Sequence, residues 1–310
     1  MPELAALQAS LEQYSDDAKA DNTKLAYAKQ WHQFQAWCLT KALGAVPAGP
    51  GTVALYLTAC ANAGLALATL KQAQAAITYH HHETGHASPC ATPLVKKAWQ
   101  GIRRRLGAAQ NQKHPLDADQ IRAMYEVLPS GLLGVRDRAL IGLGFSGAFR
   151  RGELVALDVS DLAFVRRGLE ARVRRSKTDQ EGRGLTKVIS RGSDASTCAV
   201  RAVRDWLKLA RIEDGPVFRS VDRHGNVSPR RLSAQSVALV LKRAAAAAGI
   251  PVDDIAGHSL RAGFVTEAKK HGADDAAIMD QTGHQSIAMV QRYHRRAKKW
   301  EKPASEKLGF

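Results

Sequence analysis

Cysteine is scarce in this 310-residue chain: Cys38, Cys60, Cys90 and Cys198 stand far apart, with no C-x-x-C pair among them. That spacing excludes a zinc ribbon or a disulfide framework and fits a reducing compartment. Long apolar runs are missing as well. No stretch approaches the roughly 18–20 residues that cross a bilayer, and residues 1–11 lack the basic start and apolar core of a secretion signal. A soluble, cytoplasmic protein is expected. The chain has neither a G-x-x-x-x-G-K-[ST] loop nor an obvious set of paired carboxylates for two-metal chemistry, which agrees with a reaction that uses no metal or nucleotide cofactor. Acidic residues are outnumbered, 29 against 45 Lys plus Arg, for a net charge of +16. Such an excess favours a polyanionic partner. Without an insertion segment or a sustained basic amphipathic helix, a membrane is set aside and nucleic acid preferred.

What is present is ordinary globular composition, 45% hydrophobic and 24% charged, at a length that favours two domains of about 100–200 residues each. Between residues 22 and 38, Leu25, Tyr27, Trp31, Phe34 and Trp37 recur at helical steps and predict one buried face. Helices over 52–63, 69–82 and 92–106 follow, the last running into Arg103, Arg104 and Arg105. A polar run from Gly107 to Pro115 then precedes the capping pattern Asp117-x-x-Gln120, and the domain boundary is placed there. The second part opens with helices over 117–128, 136–146 and about 151–157. Alternating runs within 162–190 then predict a small antiparallel sheet, turning near Arg167-Gly168 and over 179–184. After it the pattern is helical to about residue 296.

Basic residues cluster around the predicted sheet, Arg175 among them, and at Arg230 and Arg231, with Lys242 and Arg243 further on. A solvated charged face explains any one such cluster; the global excess points instead to phosphates neutralised from both domains. The helix over 233–248 is either a major-groove reader, with Arg230, Arg231 and Gln235 near bases, or structural filler. The run His80-His81-His82 invites a metal reading, but adjacent histidines point in different directions and the second half of a zinc signature is missing. It reads better as the end of a helix. Trp31, Phe34 and Trp37 read as core rather than as a stacking platform for single strands.

Five features follow in order in the second part: Arg150 within Phe149-Arg150-Arg151-Gly152-Glu153-Leu154, Lys177 in a Ser-Lys-Thr-Asp turn, His258-Ser-Leu-Arg261, Gly283-His284, and Tyr293 nine residues beyond that histidine. In this order and context they resemble the tyrosine recombinase, or phage integrase, family, over almost the whole chain. The resemblance implies a mainly α fold: a helical core-binding domain over 1–107, a linker over 108–116, and an α+β catalytic domain with a small antiparallel sheet over 117–310. Gly101-Ile-Arg-Arg104 matches a segment that typically ends the first domain's last helix. Phenylalanine at 149 departs from the usual leucine, and Arg151 blurs the register by one, which Glu153 settles for Arg150.

The implied reaction explains why these residue types belong together. A phosphodiester gathers further charge on its non-bridging oxygens in the transition state, which suits the planar forks of Arg150 and Arg261. A tyrosine of ordinary pKa near 10 needs a base and a positive field to attack at neutral pH, and His258 is the expected base. The resemblance makes Tyr293 the nucleophile, forming a 3′-phosphotyrosyl link, and Lys177 the acid for the departing 5′-oxygen; His284 is left as a donor to the phosphate. It implies no metal or nucleotide cofactor, and further a homotetramer holding two double-stranded DNA sites, with the segment over 298–310 coupling protomers through Leu308 and Phe310. Alternatives of the same chemistry are a type IB topoisomerase or a hairpin resolvase, and of another class a catalytically silent DNA-binding relative. Target sequence, biological task and accessory proteins are not legible.

Overall fold

The computed structural model describes residues 2–17, 19–107, 114–176, 179, 182 and 184–291. The chain divides into two compact units, Met1–Asn111 and Gln112–Phe310. The first holds helices α1 (Pro2–Asp17), α2 (Asp21–Thr40), α3 (Pro50–Asn62), α4 (Leu67–Glu83) and α5 (Pro93–Leu106). Proline opens α3 and α5 at the first helical turn, where its missing N–H costs no hydrogen bond. Phe34, Leu57, Leu70, Ile77 and Val95 form the core, with Trp31 and Trp37 packed at its margin. Leu25 does not join them and is 69% exposed. It precedes Phe34 by nine residues, which at 3.6 residues per turn places it about half a turn away, on the opposite face of α2.

The histidine run closes α4. His81 is buried; its Nδ1–H donates to the Ile77 carbonyl at 2.7 Å and its Nε2 accepts from the Ala48 amide at 2.9 Å. His80 stacks on Trp31 with ring centroids 4.5 Å apart. Both rings are thus used in packing the first unit. Helix α1 lies ahead of the first helix that the apolar periodicity marks, and it exposes Leu4, Leu7, Leu11 and Tyr14.

The second unit opens with α6 (Ala118–Glu126), whose predicted capping box forms: Asp117 accepts from the Gln120 amide at 2.8 Å and Gln120 accepts from the Asp117 amide at 3.1 Å. α7 (Gly131–Ser146) is buried on nearly every side, as a central helix should be, and packs against α9 (Ala199–Leu209). α8 (Arg151–Ala156) leads into an antiparallel meander of β1 (Leu162–Val165), β2 (Gly168–Val173) and β3 (Leu185–Ser190). Its alternation buries Leu169, Ala171 and Val173 on β2 and Lys187 and Ile189 on β3. The chain is not helical throughout beyond this sheet. A second hairpin, β4 (Arg219–Val221) with β5 (Val227–Arg231), intervenes before α10 (Ala234–Ala247), α11 (Ser259–Lys270) and α12 (Asp275–Thr282). Its strands are short and polar, and β5 contains Pro229, features that hide an edge pairing from a pattern search. The architecture is mainly α with a small antiparallel sheet.

Candidate active site

Helix α7 ends in a tight turn. The Phe149 amide reaches back to the Gly144 carbonyl at 3.1 Å, and Ala148 takes a left-handed conformation, φ +49°. That conformation is uncommon for a residue with a Cβ and persists where its surroundings hold it. Two cations supply the hold: Arg261 donates Nη1 to the Ala148 carbonyl at 2.9 Å, and Lys187 donates Nζ to the same oxygen at 3.3 Å.

Arg150 follows directly, as the residue that precedes α8. The Glu153 carboxylate accepts from the Arg150 backbone amide at 3.0 Å and from its Nη1 at 2.6 Å. The acidic residue three positions on therefore caps the helix and orients the guanidinium in one stroke. Glu153 is buried, whereas the Arg150 side chain remains partly open to solvent.

His258 precedes the first turn of α11 and is exposed; Arg261, three residues on, is 1% exposed. Gly263 lets α11 press against the segment ahead of α6, since a Cβ there would stand 1.9 Å from the Leu116 carbonyl oxygen. α12 ends on Gly283 at φ +65°, a conformation natural to glycine, and the turn delivers His284 into the unit, 5% exposed. The Thr282 hydroxyl donates to the Ile278 carbonyl at 2.6 Å and lies 2.9 Å from His284 Nδ1. With its one proton spent on Ile278, the hydroxyl accepts from Nδ1–H, which fixes the tautomer of the neutral ring.

Burial pushes the His284 imidazole down to about 3, and Arg261, Arg150, His258 and Lys187 push it further in the same direction. Arg261, Arg150, His258 and Lys187 thus all lie within electrostatic reach of one ring, so residues far apart in the sequence converge on one pocket. In the free protein His284 is neutral at pH 7. Lys187, which sequence reasoning missed, lies beneath this pocket, with its ammonium held down to about 7 chiefly by burial, opposed by Glu153 and reinforced by Arg261 and Arg150. A lysine in an alternating strand carries no mark of which face it occupies. Lys177, Tyr293 and the segment over 298–310 with Leu308 and Phe310 lie outside the described residues, as does most of the expected linker.

The candidate DNA contacts divide in two. Arg103, Arg104 and Arg105 are exposed in the last turn of α5, Arg175 is exposed beyond β2, and Arg230 is exposed on β5. Gln235 and Lys242, seven residues apart, share the outer face of α10. Arg231 instead caps the end of α8, donating Nη1 to the Val155 carbonyl at 2.6 Å and pairing Nη2 with Asp158 at 2.5 Å. Arg243 pairs with the buried Asp137. Beside Glu153, a cleft of about 670 Å³ is lined by Asp158, Asp161, Arg172, Arg174 and Arg231.

Residues 114–299 match the family model described as the phage integrase family. An integrase/recombinase described as a xerD homolog, from Selenomonas ruminantium, is 39% identical over 282 residues, 90% of this chain and 82% of the relative. A tyrosine recombinase XerC from Mycobacterium sp. (strain KMS) is 27% identical over 89% of this chain and 88% of the relative. Among solved structures, a lambda integrase (75-356) dimer bound to a COC' core site superposes with a TM-score of 0.64 at 17% identity, covering 93% of each chain. The XerH site-specific recombinase in its post-cleavage complex with palindromic difH gives 0.62 at 16% identity, covering 84% of this chain and 73% of that one. These two likenesses are of fold. With the family match over most of the second unit and the relative at 39% identity, the chain belongs to the phage integrase family and is a site-specific recombinase of the tyrosine type.

Proposed function

We propose that this recombinase cuts and rejoins double-stranded DNA through a 3′-phosphotyrosyl intermediate on Tyr293, within a homotetramer that holds two specific sites. The observation that carries the reading is the convergence of Arg150, Arg261 and His284, with His258 in electrostatic reach, on one pocket of the second unit. Such a pocket gathers the negative charge of a pentavalent phosphorus. Arg150 is presented by Glu153 and Arg261 by the Ala148 carbonyl, so both forks are set before the phosphate arrives and need no reorganisation during reaction.

In this scheme Tyr293 gives its proton toward His258 and forms the bond to phosphorus; the bond to the 5′-oxygen breaks, and Lys177 protonates the leaving oxygen. The phosphodiester energy stays in the tyrosyl link, and the reverse reaction with another 5′-hydroxyl reseals the strand. Arg103, Arg104 and Arg105 of the first unit and Arg175, Arg230 and Lys242 of the second supply phosphate contacts, with Gln235 on the outer face of α10 as a candidate base contact. The lambda integrase dimer bound to a core site and the XerH recombinase bound to difH support DNA as the partner.

The test is incubation of the protein with fragmented host DNA followed by denaturation. A covalent protein–DNA adduct is expected from the parent and not from Tyr293→Phe. DNA binding without any adduct in the parent would identify a silent binder instead. Relaxation of a closed supercoiled plasmid without exchange of partners would identify a topoisomerase.

A further inference from the structure

Lys187 is a costly residue to find where it is. It sits on β3 opposite Ala171, on the same face as Ile189, and is 1% exposed. An aliphatic side chain would fill such a place without the penalty of burying an ammonium group. Its three N–H donors are all spent on main-chain carbonyls: Gly147 at 3.0 Å, Ala148 at 3.3 Å and Gln281 at 2.6 Å. Gly147 and Ala148 lie just ahead of Arg150, and Gln281 lies three residues ahead of His284. Gln281 adds a longer tie of its own, from Nε2 to the Ser146 carbonyl at 3.4 Å.

We propose that Lys187 is a positioning residue of the site, its three hydrogen bonds setting the spacing between the backbone that presents Arg150 and the backbone that presents His284. The inference rests on the recombinase reading above. Through the shared Ala148 carbonyl the same ammonium is coupled to Arg261, so one side chain joins all three groups around the expected phosphate. Having no N–H to spare for a departing oxygen, it leaves the role of acid to Lys177. The groups that face it are Glu153 on α8, Arg150 ahead of it, Arg261 on α11, and His284 beyond α12. When the ammonium loses a proton it keeps two donors for three carbonyls, and one segment is released.

The test compares the parent with Lys187→Met, which keeps length and apolar bulk but donates nothing. Because the folded protein holds this lysine's proton less tightly than the unfolded chain, its burial costs stability in full below about pH 7 and progressively less as the pH rises above it, so the parent's melting temperature should gain on that of the methionine variant across that rise. DNA affinity should fall by less than cleavage does. Adduct formation at saturating DNA should slow by about 10–100-fold, the scale set by small misplacements of reacting groups. The parent's second-order rate constant, which reports groups of the free protein, should show a step near pH 7 that the variant lacks.

A methionine variant that cleaves at the parental rate with the parental pH profile overturns the proposal, as does one that loses cleavage only in proportion to binding or folding. Should it fail to fold, a parental profile without a step near pH 7 overturns it equally. The parental adduct and its loss in Tyr293→Phe are measured alongside. A parent that makes no adduct takes down the recombinase reading and this inference together, whereas an intact adduct in both parent and methionine variant takes down this inference alone.

Discussion

Arg150 and Arg261 are held by different means, and the difference sets what their removal does. Arg150 is partly open and paired with Glu153, while Arg261 is buried with Nη1 on a main-chain carbonyl. Loss of either fork from the proposed site should slow adduct formation by about a hundredfold or more, as loss of one oxyanion donor does elsewhere. Arg150→Ala and Arg261→Ala should still bind DNA, measured by mobility shift beside a melting curve. Near-parental cleavage by either would remove that residue from the reaction. At this scale Arg150, His258, Arg261 and His284 are weak signals singly, and they became legible only through an order and context that resemble the tyrosine recombinase family. The sequence was silent on Lys187, Thr282 and Gln281. Their contributions arise from a strand register and from carbonyls 40 and 94 residues away along the chain, and no local pattern encodes those.

Among the elements, α11 is held tightly at one point. Gly263 faces the Leu116 carbonyl and the Phe145 ring, and an added methyl group at 1.9 Å from a backbone oxygen forces the helix to move. Gly263→Ala should therefore destabilise the protein by about 1–3 kcal/mol through overpacking, even though alanine is the better helix former by about 1 kcal/mol. Urea unfolding checks this, and an alanine variant as stable as the parent would mean that α11 does not sit as close as described. Because Arg261 rides on the same helix, cleavage should fall further than stability does. Long amphipathic helices and the main sheet were legible from period and capping, down to the Asp117–Gln120 box. The β4–β5 hairpin was not: a three-residue strand paired with a proline-bearing one gives too few alternations to read, and its pairing becomes visible only in the folded chain.

For the molecule as a whole, charge and protonation are linked. A net charge of +16 makes phosphate binding steeply salt-dependent. Less obviously, it makes binding dependent on pH. Lys187, near 7 in the free protein, and His284, near 3, are both held low chiefly by burial and further by neighbouring cations. On the proposed reading, a phosphate entering the pocket would offset those cations and raise both. At pH 7.5–8 Lys187 is the group close enough to titrate, so DNA binding should take up protons there, and affinity should fall as pH rises through that window. Titration calorimetry in buffers of different ionisation enthalpy measures the uptake; a binding enthalpy independent of buffer would show that the pocket does not meet the phosphate.

The bonds that assemble the pocket join partners 40, 94 and 113 residues apart along the chain. Contacts of such separation consolidate late in folding, after the helices that supply them. On the proposed reading, a nascent or partly unfolded copy holds the two guanidinium groups apart and lacks the means to open a strand. The hazardous half of the chemistry is thereby withheld from defective copies by topology, with no separate inhibitor.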